Sequence, residues 1–309
     1  MAGNDRILIF GAGYVAGKFA DHFSGSALKD KPACLITKAD IADPVQVDKS
    51  ISEFKPSIAI NCAGKTGRPN IDWCEDGSFD RSKGQSWLDS NRGQTWRSNV
   101  LGPQILAERC QKAGVFLAHV GSGCVYEGDN KGKGFAEDDE PNFFGSFYSR
   151  TKILSEKSLS MMSEKDGAKV LQLRLRMPLD SMPGPRNFIT KIASYKQVIS
   201  IPNSISVMDD FVNASSALIA MRATGIYNVV NPNPITHAQI LDLYKEIVDK
   251  DFKYEIISLD KLHSMTAAKR SNCVLSTRKL EIKLREAGIV MPPVIEAVRG
   301  ALLKYAGFS

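Results

Sequence analysis

The sequence lacks any long run of apolar residues. Its 309 residues contain no uninterrupted apolar stretch of about 18, the length that a membrane-spanning helix needs. The first residues, Met1–Arg6, do not show the basic start, apolar segment and cleavage site of a secretory signal. We therefore expect a cytoplasmic protein that has no membrane partner.

Cysteine and histidine are scarce and scattered. The six cysteines include no Cys-x-x-Cys pair, and the four histidines do not combine with them at the spacing of a zinc site. This pattern predicts reduced thiols and no metal centre. Each isolated histidine is expected to be structural.

A concentrated patch of positive charge is also missing. The chain has 40 basic and 34 acidic residues, a net charge of +6, but the basic residues are dispersed. Neither a basic helix nor a strip of alternating aromatic and basic residues is present, which argues against nucleic acid as a partner. The balance fits a mildly positive cleft that binds a diphosphate.

Short apolar runs alternate with segments of helical periodicity over the first 175 residues. The predicted strands are 6–10, 33–36, 57–60, 115–120 and 170–175. The predicted helices are 11–24, 45–54, 95–113 and 147–162. This alternation predicts an α/β fold with a Rossmann-like, doubly wound parallel sheet, which binds ligands at the carboxyl ends of its strands.

The pattern loosens after residue 175, where three prolines interrupt the chain. We expect residues 1–175 to form an NADP-binding domain, with 205–232 returning to it. The remaining segments, 176–204 and 233–309, are expected to form a smaller α/β substrate lobe. Residues 76–96 are polar and are interpreted as a loop insertion near the ligand.

A glycine-rich turn follows the first predicted strand. Gly11, Gly13 and Ala16 stand at the spacing of the dinucleotide-binding motif. The first glycine permits a tight turn, the second lets a pyrophosphate approach the backbone, and the alanine allows close helix packing. With Tyr14 and Val15, this turn predicts a dinucleotide site at a helix N-terminus.

The residues after the second and third strands complete the predicted cofactor site. Lys38 could bind a 2′-phosphate, which favours NADP(H) over NAD(H), although it could equally be a solvated surface charge. Asp40 is a candidate contact for the adenosine. Other candidates are Cys62, Ala63, Gly64, Asn99, Tyr148, Lys152 and Met177.

A serine, a tyrosine and a lysine form the candidate catalytic set. Tyr148 and Lys152 are four residues apart at the start of a predicted helix, so they share a face, and Ser122 follows a strand. A nearby ammonium would favour the tyrosine phenolate. Tyr148 could then exchange a proton with a sugar oxygen while Ser122 donates a hydrogen bond to the same oxygen.

These motifs together resemble the extended short-chain dehydrogenase/reductase family. Longer blocks resemble the bifunctional nucleotide-rhamnose synthase/epimerase-reductases and, more loosely, the dTDP-4-dehydrorhamnose reductases. The resemblance extends from about residue 6 to residue 285. The blocks are Asn61–Glu75, Gly145–Lys152, Arg174–Pro178, Pro185–Lys191, Ile201–Ser204 and Arg270–Asn272.

The resemblance implies an oxidoreductase that is also an isomerase. Such an enzyme converts UDP- or dTDP-4-keto-6-deoxy-glucose to the L-rhamnose nucleotide with NADPH, inverting C3 and C5 and reducing C4. It implies that Cys124 acts as an acid and Lys191 as a base in epimerisation. Either residue could instead be an ordinary buried thiol or a surface lysine.

Four further residues are candidates for substrate binding, and relatives in the family suggest a homodimer. The candidates are Arg68, Asn70, Asn187 and Arg270. Two departures are apparent: the glycine motif is one residue tighter than in typical extended members, and the 76–96 insertion has no counterpart. Alternative functions are a 4-keto reductase without epimerase activity and a non-catalytic NADP-binding regulatory subunit.

Overall fold

A six-stranded sheet organises the first part of the molecule in this computed structural model, which describes residues 5–25 and 31–308. The spatial order of its strands is β2-β1-β3-β4-β5-β9. Pairings β1–β2, β1–β3 and β3–β4 are parallel, which confirms the predicted α/β class. The strands are β1 Arg6–Phe10, β2 Ala33–Thr37, β3 Ile58–Asn61, β4 Phe116–Ser122, β5 Val170–Leu175 and β9 Gly225–Asn228.

The order of the strands reverses between β1 and β3. From β1 the chain passes to β2 on one side and then to β3 on the other. Such a switch point leaves a crevice at the carboxyl ends of the two strands. The residues that follow β1 and β3 are the glycine turn and Cys62–Gly64, both predicted to bind the cofactor.

Helices follow the strands, as the periodicity predicts. In the sheet-forming part they are α1 Tyr14–Ser24, α2 Pro44–Phe54, α3 Asn91–Trp96, α4 Gly102–Lys112 and α5 Phe147–Asp166. In the later part they are α6 Phe188–Ala193, α7 Met208–Ala220, α8 His237–Ile247, α9 Leu259–Ser264, α10 Arg278–Arg285 and α11 Val294–Tyr305. Side chains cap several of these helices: Asp43 accepts the backbone N–H groups of Val45 and Gln46 at the start of α2.

Two compact units each have a hydrophobic core. The first unit comprises Met1–Val125, Phe143–Leu173 and Leu218–Ile226. Alternate residues of its central strand, Leu8 and Phe10, are fully buried against residues of α2 and α4. Ile7 and Ile9 are fully buried as well, so β1 is covered on both faces, as a strand of a parallel sheet between helices is.

The second unit comprises Tyr126–Asn142, Arg174–Ala217 and Tyr227–Ser309. Its core combines residues of α6, α8 and α11 with residues of three short strands, and these strands belong to two parallel pairs. The pairs are β6 Pro178–Leu179 with β8 Ser206–Val207, and β7 Gln197–Val198 with β10 Glu255–Ile256.

The unit boundaries differ from the expected domain boundaries at two segments. Residues 126–142, expected in the first domain, belong to the second unit because they pair with its chain: Gly128 bridges Cys273, and Phe135 bridges Leu275. Of the segment 205–232, only Leu218–Ile226 groups with the first unit. Long-range bridges of this kind leave no local sequence signal.

The segment 76–96, expected to be a loop, is partly helical. It contains 3₁₀ turns at Arg81–Lys83 and Trp87–Asp89, and α3 begins at Asn91, four residues before the expected start. Ser90 caps α3 by accepting the backbone N–H of Gly93 at 3.1 Å. A π-helical turn, Arg97–Leu101, then connects α3 to α4. Within the described ranges, no helix is both long and apolar enough to cross a membrane.

Gly93 explains how the insertion packs onto α3. A Cβ at this position would lie 2.1 Å from the carbonyl oxygen of Trp87 and 2.5 Å from the Cα of Leu88. Both are backbone atoms, which cannot move aside in the way that the end of a flexible side chain can. Only glycine therefore allows the Trp87–Asp89 turn to approach the helix.

We expect Gly93→Ala to lower the free energy of unfolding by about 1–3 kcal/mol, because the added methyl group overpacks a buried contact. Gly17→Ala is the matched control, since a Cβ at Gly17 in α1 meets nothing within 4 Å. It should raise stability by ~0.5–1 kcal/mol through helix propensity. Urea unfolding of the three proteins measures both effects, and equal stability of the two variants would contradict the packing argument.

Candidate active site

The glycine turn at the end of β1 has the geometry of a phosphate-binding turn. Gly11 has φ +92°, and a Cβ there would lie 2.8 Å from the backbone of Ala63. At Gly13 a Cβ would meet nothing within 4 Å, so the space over the start of α1 is open. No side chain caps α1, and its first turn carries no acidic residue. A diphosphate fits such a helix end because uncapped N–H groups and the helix dipole favour an anion.

The other residues of the turn are placed as the motif requires. Ala16 is fully buried, which keeps α1 close to the sheet, while Tyr14 and Val15 are partly exposed on its first turn. The dinucleotide-binding assignment of these residues stays a prediction, and the open turn fits it.

Lys38 and Asp40 follow β2 in different surroundings. Lys38 is exposed. The Asp40 carboxylate accepts the backbone N–H of Ala42 at 2.9 Å and pairs with Arg97 at 2.9 Å. Asp40 thus already stabilises the turn after β2, and Lys38 is the better placed of the two to meet a free phosphate.

The end of β3 is held by a buried polar contact. The Asn61 side chain accepts the N–H of Ala63 at 3.0 Å, and its amide nitrogen lies 3.0 Å from Nδ1 of His119. Burial lowers the pKa of His119 to about 3, so this histidine is neutral and structural, as expected. Burial also raises the pKa of the Cys62 thiol, which makes it an inert thiol beside the glycine turn.

Asn99 lies in the π-helical turn and connects the β3 end to α5. Its Oδ1 accepts the N–H of Lys65 at 2.8 Å, and its amide donates to the Lys65 carbonyl at 2.9 Å and to Thr151 Oγ1 at 3.3 Å. A Cβ at Gly64 would lie 3.1 Å from Asn99 Oδ1 and 3.7 Å from Lys152 Nζ. Asn99 therefore supports the tyrosine–lysine helix through the backbone of Lys65 and through Thr151.

Ser122, Tyr148 and Lys152 are brought together as predicted. Ser122 ends β4, and Tyr148 and Lys152 lie on the first turns of α5. The Ser122 side chain is hydrogen-bonded to Tyr148, and Lys152 Nζ lies 5.9 Å from the centre of the tyrosine ring. All three side chains are buried. A substrate oxygen placed here would meet a hydroxyl, a phenol and an amine.

The protonation state of Tyr148 differs from the expectation. Burial raises the pKa of Tyr148 above its ordinary value, and a negative charge on the neighbouring Cys124 would raise it further, although the Ser122 hydrogen bond opposes this. Burial also lowers the pKa of Lys152 to about 8. The expected phenolate is therefore wrong for the protein by itself, because desolvation of two neighbouring groups outweighs their attraction. At neutral pH, Tyr148 is a proton donor.

Cys124 belongs to the same cluster. Its backbone N–H donates to Ser122 Oγ at 3.1 Å, and its side chain is partly exposed. It lies close enough to Tyr148 and Lys152 for a thiolate charge to affect the pKa of both. A proton carrier thus stands beside the catalytic set.

Lys191 and Met177 lie in the second unit. Lys191 is half-buried on α6, where burial and then the charge of Arg186 lower the pKa of its ammonium. A lysine whose pKa is lowered is a better base near neutral pH. Met177 lies two residues after the end of β5. Its backbone φ is +41°, which is uncommon for residues other than glycine and asparagine.

The four candidate substrate residues differ in what their side chains contact. Asn187 is buried and its amide serves the backbone: it accepts from Asp180 and Ile189 and donates to Asp180 and Met182. It therefore caps α6. Asn70 similarly accepts the N–H of Asp72 at 2.8 Å.

The two arginines differ in exposure. Arg68 is exposed in the loop after β3. Arg270 is partly exposed; one of its guanidinium nitrogens donates to the Ala268 carbonyl at 2.6 Å, and its backbone N–H donates to His263 Nε2 at 3.2 Å. An arginine side chain suits a phosphate better than an asparagine does, because its guanidinium can donate two hydrogen bonds to it.

Two residues near the site were missed by the sequence analysis. Glu75 accepts the backbone N–H of Phe147, the residue before Tyr148, and pairs with Arg92 at 3.4 Å. The partners are separated by 72 and 17 positions in sequence. No spacing rule relates residues that far apart, so only the folded chain shows the contact.

Comparisons with known proteins show the family to which the chain belongs. Residues 5–214 match the family model described as RmlD substrate binding domain. The chain is 36% identical over 271 residues to a bifunctional dTDP-4-dehydrorhamnose 3,5-epimerase/dTDP-4-dehydrorhamnose reductase of Arabidopsis thaliana, covering 86% of this chain and 81% of that protein.

Two further relatives extend the comparison. A trifunctional A. thaliana protein, named as a UDP-glucose 4,6-dehydratase, UDP-4-keto-6-deoxy-D-glucose 3,5-epimerase and UDP-4-keto-L-rhamnose reductase, is 35% identical over 275 residues. The match covers 87% of this chain but only 37% of that protein. The crystal structure of a UDP-rhamnose synthase from Acanthamoeba polyphaga mimivirus has a TM-score of 0.84 at 30% identity, covering 97% of this chain and 99% of that one.

The fold and the Ser122–Tyr148–Lys152 arrangement define an enzyme of the short-chain dehydrogenase/reductase type. Within that class, the chain belongs to the RmlD substrate-binding-domain family.

The burial of Lys152 gives a testable pH dependence of stability. Below about pH 8 the lysine is charged in both the folded and the unfolded protein, so the cost of burying the ammonium is felt in full. Between about 8 and 10.5 the folded protein loses the proton while the unfolded chain keeps it. The lysine's contribution to stability therefore becomes more favourable as the pH rises through this window.

We expect the stability of the wild-type protein relative to Lys152→Met to increase from pH 8 to pH 10. Urea unfolding of both proteins at several pH values measures this difference, in which groups that titrate in both proteins cancel. A difference that stays constant across the window would show that the lysine keeps its ordinary pKa.

Proposed function

We propose that this protein is a nucleotide-sugar 3,5-epimerase/4-reductase that converts UDP- or dTDP-4-keto-6-deoxy-glucose to the L-rhamnose nucleotide. The observation that carries the proposal is the cluster of Ser122, Cys124, Tyr148 and Lys152 at the end of β4 and the start of α5. It provides a hydrogen-bond donor for a ketone, a proton donor and an additional acid in one place. Relatives at 36% and 30% identity are named for nucleotide-rhamnose synthesis.

Tyr148 protonates the C4 oxygen in the proposed reduction. Its raised pKa keeps the phenol protonated at neutral pH, which is the state that a ketone reduction requires. Ser122 orients the same oxygen through its hydroxyl. Lys152, close to the ring, stabilises the phenolate that forms when the proton has been transferred.

The cofactor we propose is NADPH, which supplies the hydride for C4 when it is bound. Gly11, Gly13 and the first turn of α1 would hold its pyrophosphate, and Lys38 its 2′-phosphate. Gly64 and Asn99 would lie beside it next to Lys152.

Lys191 and Cys124 are the proposed acid–base pair of the epimerisation. The C4 ketone acidifies the protons at C3 and C5, and inversion needs removal of a proton from one face of the ring and delivery to the other. Lys191 is the proposed base: burial lowers the pKa of its ammonium, which favours the neutral amine that would take the proton. The Cys124 thiol gives one back to the intermediate enolate.

The remaining predictions concern binding and assembly. Arg68 and Arg270 are proposed to bind the diphosphate, whereas Asn187 and Asn70 act by holding the backbone around it. A homodimer and a cytoplasmic location stay predictions.

Incubation with UDP-4-keto-6-deoxy-glucose and NADPH in deuterated water tests the proposal, with NMR analysis of the product. We expect a rhamnose nucleotide that carries deuterium at C3 and C5, because each inversion exchanges the carbon-bound proton with solvent. A reduced sugar without deuterium at these carbons would identify a 4-reductase alone. An absence of NADPH oxidation would point to the regulatory role.

Cys124→Ala and Lys191→Ala assign the epimerase step. Each should reduce deuterium incorporation by about 10²-fold, the usual effect of removing an acid–base group. Cys34→Ala and Lys196→Ala are matched controls, since these residues lie outside the proposed site, and both should retain the exchange. Full exchange in both test variants would refute the assignment.

Lys38→Ala tests the choice between NADPH and NADH. Loss of a charge-assisted contact to the 2′-phosphate should raise KM for NADPH about tenfold, equivalent to ~1.4 kcal/mol, and leave KM for NADH unchanged. Lys49→Ala, which removes an exposed lysine on α2, is the control. Equal changes for the two cofactors would place Lys38 outside the phosphate site.

A further inference from the structure

The helix that carries Tyr148 begins only one residue before it, so the first turn of α5 determines where the phenol lies. Two side chains satisfy N–H groups of this turn. Ser146 caps the helix by accepting the N–H of Ser149 at 3.0 Å. Glu75 accepts the N–H of Phe147 at 2.5 Å from a distant part of the chain.

Glu75 is itself fixed. Its side chain is only 16% exposed, and its second carboxylate oxygen lies 3.4 Å from a guanidinium nitrogen of Arg92. A carboxylate at a helix N-terminus is favoured by the helix dipole, and a partly buried one needs a charged partner. Glu75 has both, so its position is determined from two sides.

Arg92 reaches this contact from the insertion. Its guanidinium lies 5.3 Å from the centre of the Phe147 ring, and its backbone N–H donates to the Asp76 carbonyl at 2.8 Å. A Cβ at Gly77 would lie 3.2 Å from Arg92 Cδ. The segment 76–92 thus begins directly after Glu75 and folds back so that Arg92 contacts the Glu75 carboxylate.

The residue before Glu75 connects this arrangement to the catalytic tyrosine. Cys74 is fully buried, and the 3₁₀ turn that carries it contacts α5, the helix of Tyr148. The 3₁₀ turn Ile71–Glu75 therefore packs beside the tyrosine while its last residue holds the backbone before it. Glu75 accepts the backbone N–H of Phe147, which directly precedes Tyr148, so it acts on the tyrosine through the backbone.

We propose that Glu75 is a positioning residue for Tyr148 and that Arg92, supplied by the 76–96 insertion, holds the Glu75 carboxylate against the first turn of α5. The inference rests on the proposed role of Tyr148 as proton donor. Proton transfer is sensitive to sub-ångström placement, so a frayed first turn would slow it without affecting substrate binding.

Two substitutions separate geometry from charge. Glu75→Gln keeps a carbonyl oxygen that can accept from Phe147, whereas Glu75→Ala removes the acceptor. In single-turnover experiments, we expect NADPH oxidation by Glu75→Ala to be 10–100-fold slower, because catalysis is sensitive to small misplacements. In steady-state assays, KM for NADPH and for the sugar nucleotide should stay within about threefold of the wild-type values. Glu75→Gln should stay within about threefold of the wild-type rate.

Hydrogen–deuterium exchange of the Phe147 amide gives a readout that needs no substrate. The amide should be protected in the wild-type protein and in Glu75→Gln, and should exchange at least tenfold faster in Glu75→Ala. If the wild-type protein oxidises no NADPH, the proposed function fails, but this exchange measurement still decides whether Glu75 holds the turn.

Asp43→Ala is the matched control, because Asp43 caps α2 in the same way on a helix that carries none of the proposed catalytic residues. It should lower the melting temperature and leave the single-turnover rate unchanged. If Glu75→Ala does not fold, Arg92→Ala replaces it, with a slower rate and a less protected Phe147 amide expected. An unchanged rate in a folded Glu75→Ala, or an equal loss in Glu75→Gln, would overturn the proposal.

Discussion

The exclusion of water from Tyr148 and Lys152 is the constraint on which the site depends. Burial raises the pKa of the phenol, so Tyr148 stays protonated at neutral pH, and it brings the pKa of the Lys152 ammonium down to about 8. Buried polar groups need fixed partners, because no water can replace a lost hydrogen bond. Ser122 meets that need directly. Asn99 and Glu75 meet it through the backbone of the elements that carry the catalytic side chains.

Much of this arrangement could be predicted because its signals are local. The glycine turn, the apolar runs of the sheet and the four-residue spacing of Tyr148 and Lys152 each depend on neighbours in sequence. The fold class and the cluster of Ser122, Tyr148 and Lys152 were accordingly predicted. The roles of Glu75 and Arg92 could not be predicted in this way, because their contacts form only when segments that are distant in sequence meet in the fold. The same reason explains why 126–142, expected in the first domain, groups with the second unit, where its bridges to Cys273 and Leu275 lie.

The start of α3 and the state of Tyr148 show two other limits of sequence reasoning. Polar composition predicts a loop over 76–96, but a capping serine and one close-packed glycine are enough to fold its end into a helix. The phenolate was predicted from the attraction between an ammonium and a phenol. That attraction depends on the surrounding dielectric, which is a property of the folded chain, and burial penalises both charged forms.

The protonation of Tyr148 also bears on how epimerisation and reduction can share one protein. A phenol that must deliver its proton to the C4 oxygen cannot serve as the base that removes protons from C3 and C5. His119 cannot serve either, because it is buried, neutral and in contact with Asn61. The separate acid and base that inversion requires must therefore come from other side chains. Cys124 is partly exposed beside the catalytic set, and Lys191 has a pKa lowered by burial, so each has the property that its proposed role demands.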